Sequence, residues 1–469
     1  MIKSTVNPAL TLSTMPASWS ASALGINVDN LHVLENDHKP ALITALKNGC
    51  NVIYSSNNDL KHPTDVLNSV LSNHFSNSSS NSSGSNSSEG ESEAMSIERS
   101  SLIYIQRTKP MQVKELEDSA KFIRDQLAIS KERMEISTLD VMLLHVESAT
   151  TKEQLESALE QLEQLVDEGA LQRYGISSPL LLDNNGQVPI ESIVQSKRYP
   201  NLSFFEFPFN LQQHQAATAK LYDGGSQSLC DWAAQNDIAT INSSPSYFTN
   251  PATNKQSRFC NVDSHTDRDL PKILKDAFDL AIHLEIINPI FKDTVQMEAV
   301  KRNPNLIGQL RWAHMLVYDA AKYDKLSNYW VWRKLLAQRI RPSVNDAVLS
   351  VFSNHIMNSW GGGYRKAINS VFDLYTYSLE AGIHQQQRAL EQEVRRTAAI
   401  AGVTLPDEVA VRDSLIQVAL QLSQNKTNIS IEDINTSLEA KRMLVLGDSI
   451  KALHFTNDQV STMSSAIKW

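Results

Sequence analysis

Cysteine is scarce in this chain. Cys50, Cys230 and Cys260 are the only three in 469 residues, too few and too scattered for a disulfide framework or a closed zinc site. A reducing compartment fits that usage. Nor do the 12 histidines form a His-Glu-x-x-His or comparable metal-binding spacing. Basic charge is also short: 43 Lys and Arg face 52 Asp and Glu, a net charge of −9. Phosphate recognition runs on clustered Lys and Arg and on counterion release, so no nucleic-acid partner is expected. Long hydrophobic runs are missing as well. None approaches the roughly 18 residues that span a bilayer, so no membrane partner is expected. Hydrophobic residues at 41% still suffice for a core, and a soluble protein follows.

The stretch MIKSTVNPALTLSTMPASWSASALG lacks the positive n-region and continuous apolar h-region of a secretory signal. It is Ser/Thr-rich with no acidic residue before Asp29, as mitochondrial transit peptides are, yet it contains no Arg. A cytoplasmic location is expected, with the mitochondrion as the alternative. Residues 76–93, SNSSSNSSGSNSSEGESE, hold no aromatic or aliphatic side chain that could enter a core. A disordered insertion over 76–96 is the expected consequence.

Around that insertion, short apolar runs alternate with helical periodicity. ALGIN near residue 23, CNVIYS (50–55), SLIYIQ (101–106), TLDVMLLH (138–145), LQRYGIS (171–177), LSFFEF (202–207) and IATIN (238–242) each read as a buried strand. Between them lie amphipathic helices. Leu155, Leu159, Leu162 and Val166 recur at spacings of four, three and four, and Gly169 ends that helix. Strand, helix, strand units with short links demand a parallel sheet. Seven strands before residue 245 favour an α/β fold of the (β/α)8 TIM-barrel type over an open sheet. TNISI (427–431) is the candidate for the eighth strand, with MLVLG (443–447) behind it. The expected division is a flexible segment over 1–20, barrel strands one to seven within 21–270, a helical insertion over 271–400, and a closing part over 401–469.

In such a barrel, functional side chains sit where strands end and the following loops begin. Those places hold Tyr54 to Asp59, Arg107 to Lys109, His145, Ser177 with Ser178, Glu206 to Asn210, and Asn242 to Pro245. Their pattern resembles the aldo-keto reductases. TLDVMLLHVES followed by LEQLVDEGALQRYGISS looks like that family's fourth strand with its catalytic His, the next helix and the end of the fifth strand. GCNVIYSSNND, RTKP and EFPFNLQQHQA resemble its second, third and sixth strand ends. The resemblance covers most of residues 40–250. It implies hydride transfer from NADP(H) to a small carbonyl substrate, with a Tyr phenol as proton donor supported by Lys, Asp and His.

Two of the four catalytic positions depart from the family. His145 matches its His, and Lys109 its Lys, or Arg107 if the strand is shifted by two residues. Tyr54 stands where the Asp is expected and Asp59 where the Tyr is expected. An exposed Asp near its usual pKa of about 3.9 is ionised at neutral pH and repels a developing alkoxide. By resemblance Ser177 and Ser178 bind the nicotinamide carboxamide, while Glu206 replaces the Gln that assists them. Ser243, Ser244, Pro245 and Ser246 stand where the subgroup carries Asn-Arg-Pro-Leu, and a phosphate-facing Arg is lost. Nothing near residues 425–435 repeats the family's late Gly-x-Arg phosphate signature either; Lys426, Lys441 and Arg442 are candidate substitutes, and each reads first as a surface charge.

Two functional classes therefore stay open. One is a working reductase of carbonyl compounds in which Tyr54 and Asp59 exchange roles. The other is a pseudoenzyme, a noncatalytic barrel that binds a nucleotide or a protein partner, the latter through its helical C-terminal half. A barrel keeps its fold when its loop-borne chemistry decays.

Overall fold

The computed structural model describes residues 9–10, 19–22, 24–29, 31, 38–56, 64–75, 99–111, 116–183, 189–243, 245–250, 255–258, 269–287, 301, 305–318, 329–351, 358–405, 428–433 and 456–466. Eight parallel strands close into a barrel. They are β1 (Leu24–Asn27), β2 (Val52–Ser56), β3 (Ile103–Arg107), β4 (Leu139–His145), β5 (Leu171–Ser177), β6 (Leu202–Phe207), β7 (Ala239–Asn242) and β8 (Asn428–Asp433). All seven apolar runs form strands, and TNISI supplies the eighth. MLVLG, Asp59, Ser244, Lys426, Lys441, Arg442 and the insertion over 76–96 lie outside the described residues.

Strand pairing fixes which side chains face the lumen. Val52, Tyr54, Ile103, Ile105, Val141, Leu143, Phe204, Ala239, Ile241, Ile429 and Ile431 pack there as one apolar cluster. Because side chains alternate along a strand, the same parity carries Ser56, Arg107, His145, Ser177 and Glu206 inward at the strands' C-terminal ends. The lumen is thus apolar below and polar at its mouth. Gly175 is required where β5 approaches β6: a Cβ there would run into the Phe204 carbonyl oxygen.

Helices α1 (His38–Lys47), α2 (Asp65–Phe75), α3 (Leu116–Met134) and α4 (Lys152–Asp167) follow the first four strands. The start of α4 is a capping box, with Thr151 accepting from the Gln154 amide and Gln154 accepting from the Thr151 amide. Its end turns through Gly169 at φ +70°, and the amides of Gly169 and Ala170 bond back to Val166 and Leu165. Leu155, Leu159, Leu162 and Leu165 are buried. Val166, expected in the same stripe, is only partly buried.

Contacts divide the chain into two compact units, Met1–Asn261 with Glu391–Trp469, and Val262–Leu390. The sequence reading sets the helical stretch at 271–400. The second unit has its own core, in which Trp332, Tyr364, Phe372, Leu310 and Leu336 are buried together. Trp332 meets Phe372 and Tyr375 edge to face at 6.0 and 5.0 Å and donates its indole N–H to Thr376. Trp332 and its aromatic neighbours thus serve packing. No helix among the described residues is long and apolar enough to cross a membrane.

Candidate functional site

The polar mouth is built around a buried carboxylate. Glu206 is 0% exposed on β6, and its Oε1 accepts the Tyr54 phenol at 2.9 Å. Arg107 Nη1 lies 3.5 Å from the same oxygen, with 31% of the Arg107 side chain exposed. The guanidinium stands 6.0 Å from the Tyr54 ring centroid. Burial, and next the adjacent Glu206 charge, push the Tyr54 phenol well above its ordinary pKa, with Arg107 opposing them. Tyr54 is 3% exposed. Its proton is held, and it is donated to Glu206.

A second carboxylate braces the end of β2. Asp29, just past β1, accepts from the Ser55 hydroxyl at 2.7 Å, the Ser56 amide at 3.0 Å and the Ser56 hydroxyl. Burial raises its pKa against these hydrogen bonds and against Arg107. The two serines that follow Tyr54 therefore fix the end of β2.

The expected site residues separate into two groups. Arg107, Tyr54, Glu206, His145 and Ser177 come together at the mouth. The inward side chain at the end of β3 is Arg107, the alternative the sequence left open. Lys109 follows the strand by two residues, and its backbone amide donates to Gln126. Ser178 turns the other way. Its hydroxyl donates to the Val146 carbonyl and accepts from the Leu180 amide, capping the short helix Pro179–Leu182. Asp29 was missed by the sequence reading. The signal available was a carboxylate just past a buried strand and the Ser-Ser pair at the next strand's end.

His145 is half-buried and aligned with Ser177 on β5. Desolvation, helped by the Arg107 charge, lowers its pKa to about 4, so the imidazole is neutral near pH 7. A neutral imidazole donates a hydrogen bond but is a weak acid toward a carbonyl oxygen.

The nicotinamide set that the resemblance implies does not fit this arrangement. Ser178 is committed to its cap, and Glu206, 0% exposed, has Oε1 engaged by Tyr54 and Arg107 and holds its free Oε2 out of reach. A carboxamide N–H₂ and C=O need a donor and an acceptor that are both reachable. Among the described residues, no group of three or more His, Cys, Asp or Glu side chains is placed to hold a metal ion.

Residues 94–288 match the family model described as aldo/keto reductase family. No curated protein matches the chain. Among solved structures, an aldo-keto reductase from Bacillus halodurans in its holo form is 15% identical over 58% of this chain and 76% of its own, with a TM-score of 0.35. One from Klebsiella pneumoniae in complex with NADP and acetate is 10% identical over 98% and 96%, with a TM-score of 0.43. The aldose reductase from Schistosoma japonicum is 14% identical over 50% and 69%, with a TM-score of 0.33.

Proposed function

We propose that this chain, of which residues 94–288 match the aldo/keto reductase family model, is an oxidoreductase-like barrel of that superfamily that has lost ordinary NADP(H)-dependent carbonyl reduction and acts as a binding module. The observation that carries this reading is the Tyr54 hydroxyl, buried and donated to Glu206. A proton donor for carbonyl reduction has to meet the substrate oxygen at about 3 Å as negative charge develops there. Tyr54 faces a carboxylate instead. No other tyrosine occurs from residue 55 to residue 103, the stretch that includes Asp59 in the position of the family's phenol. Neutral His145 and the misfit of Ser178 and Glu206 to a nicotinamide carboxamide support the same conclusion. The helical unit over 262–390 is the proposed surface for a protein partner, and the cytoplasm the proposed location.

One observation favours the rival, a working reductase of small carbonyl compounds. A cation still stands beside a phenol, Arg107 over Tyr54, and a nearby positive charge is what lowers a phenol's pKa. Purified protein with NADPH and a panel of aldehydes and ketones separates the two. We expect no carbonyl-dependent NADPH oxidation above the protein-free rate. Turnover with wild type that disappears in Tyr54→Phe establishes the reductase instead. A gain of thermal stability with millimolar NADPH or NADH reports cofactor binding independently, because any ligand of the native state stabilises it.

A further inference from the structure

Unsatisfied hydrogen-bond donors gather at one place in the barrel. Arg107, His145 and Ser177 point inward from the C-terminal ends of three consecutive strands. His145 is paired with Ser177, and Arg107 lies one inward step below, opposite Leu143. The guanidinium has five N–H groups, yet among the described residues it makes only the long 3.5 Å ion pair to Glu206. Its Nε is buried with no partner, as is the Oε2 of the adjacent Glu206, which is out of solvent's reach. No hydrogen bond to the His145 ring or the Ser177 hydroxyl occurs among the described residues, whereas Tyr54, Asp29 and Ser178 around them are all engaged. Buried polar groups are nearly always paired, so a cluster of idle donors marks a place where acceptors arrive from outside.

We propose that Arg107, His145 and Ser177 form a receptor for the carboxylate of a small monoanionic ligand at the barrel mouth. This rests on the binding-module reading and names its ligand. A carboxylate presents two coplanar acceptor oxygens, the shape that matches the guanidinium fork, and both partners are charged. The neutral imidazole N–H and the serine hydroxyl supply further donors without adding charge. Glu206 limits what the receptor takes. Its side chain is 0% exposed while that of Arg107 is 31% exposed, and its Oε1 is drawn toward the Tyr54 proton, so a monoanion arriving from solvent meets the guanidinium at closer range than it meets Glu206. A phosphate dianion doubles the attraction to Arg107 and the repulsion from Glu206 and Asp29 alike, but its desolvation cost grows with the square of its charge, and a neutral amide forfeits the charge assistance.

Titration calorimetry of the full chain at pH 7, without nicotinamide, tests this with benzoate, benzamide and inorganic phosphate. Benzoate is expected to bind at least about 10-fold more tightly than either of the others, and Arg107→Lys, which keeps the charge but not the fork, to lose about that factor. Arg107→Ala strands the buried Glu206 charge and so reports on folding. The paired variant Arg107→Met with Glu206→Gln removes both charges together, is expected to stay folded, and should lose benzoate binding. Glu206→Gln alone should tighten benzoate and reduce the discrimination against phosphate. Equal affinity for benzoate and benzamide, or undiminished benzoate binding in the folded paired variant, overturns the proposal. Carbonyl-dependent NADPH oxidation, measured separately, would overturn the binding-module reading and leave the benzoate result standing.

Discussion

The helical unit and the barrel each bury a glutamate against a tyrosine hydroxyl, and they treat it differently. In the helical unit, Glu285 of α5 (Leu270–Ile286) accepts the Ala313 amide at 2.8 Å and the Tyr364 hydroxyl at 3.1 Å on one oxygen, and the His314 amide at 3.0 Å on the other. It thereby caps the helix Trp312–Tyr318 from a distant element and satisfies amides that have no partner inside that helix. Burial raises its pKa against those hydrogen bonds. On the outer face of the barrel, Glu163 is likewise filled, by Tyr174, the Asn201 amide and the Asn201 side chain. Glu206 in the lumen is not. Its Oε1 takes Tyr54, but its Oε2 is buried with no partner. A carboxylate with every lone pair engaged is built to hold elements together, whereas one left half-engaged beside an under-used arginine belongs to a site.

Substitutions can break that contrast. The largest effect is expected for Glu285→Ala, which leaves two amides and a phenol without their acceptor. About 3 kcal/mol of stability should be lost, read by denaturant unfolding, with no change in ligand binding at the barrel mouth. A loss below about 1 kcal/mol would show that the capping role is overstated. Arg107→Ala comes next, at about 2 kcal/mol, because it strands a buried carboxylate; its own half-exposed position keeps the cost under that of a fully buried pair. Adding Glu206→Gln should restore most of that loss. Failure of the second substitution to rescue the first would mean that the pair is not the origin of the cost.

The smallest effect is the pH dependence of His145. Its folded-state pKa of about 4 lies below the unfolded value near 6.5. Between those two values the unfolded chain binds the proton more readily, so stability falls as pH falls through that window, and His145→Gln should flatten the fall. NMR titration of the ring should give a midpoint well below 6; an ordinary midpoint would remove the argument that His145 acts as a neutral donor.

Much of this architecture was legible in the residues because burial leaves a mark. Runs such as VMLLH and SFFEF are apolar on both faces, as strands walled by helices must be. Counting seven strands called for an eighth, and of the two candidates, TNISI at 427–431 and MLVLG behind it, the first falls on the closing strand Asn428–Asp433. The mouth was harder. Whether Arg107 or Lys109 enters the lumen turns on strand parity, and a shift of one residue reverses every side chain. RTKP does not reveal that parity by itself; pairing of Ser56 with Arg107 does. Ser177 and Ser178 part for a related reason. Ser177 and Ser178 are equivalent as donors, yet the strand's alternation sends one inward and the other into a cap. Glu206 was visible as a departure from the family's amide, but the Tyr54 hydroxyl it receives comes from 152 positions away in the chain.

The central claim is that the Tyr54 hydroxyl serves Glu206 and not a substrate. Comparison of wild type with Tyr54→Phe, by thermal unfolding and by carbonyl-dependent NADPH oxidation on the same preparations, tests it most directly. The account predicts a stability loss of about 1–2 kcal/mol, from a buried carboxylate deprived of its donor, with oxidation at the protein-free rate in both proteins. Unchanged stability together with wild-type turnover that vanishes in the variant would contradict it.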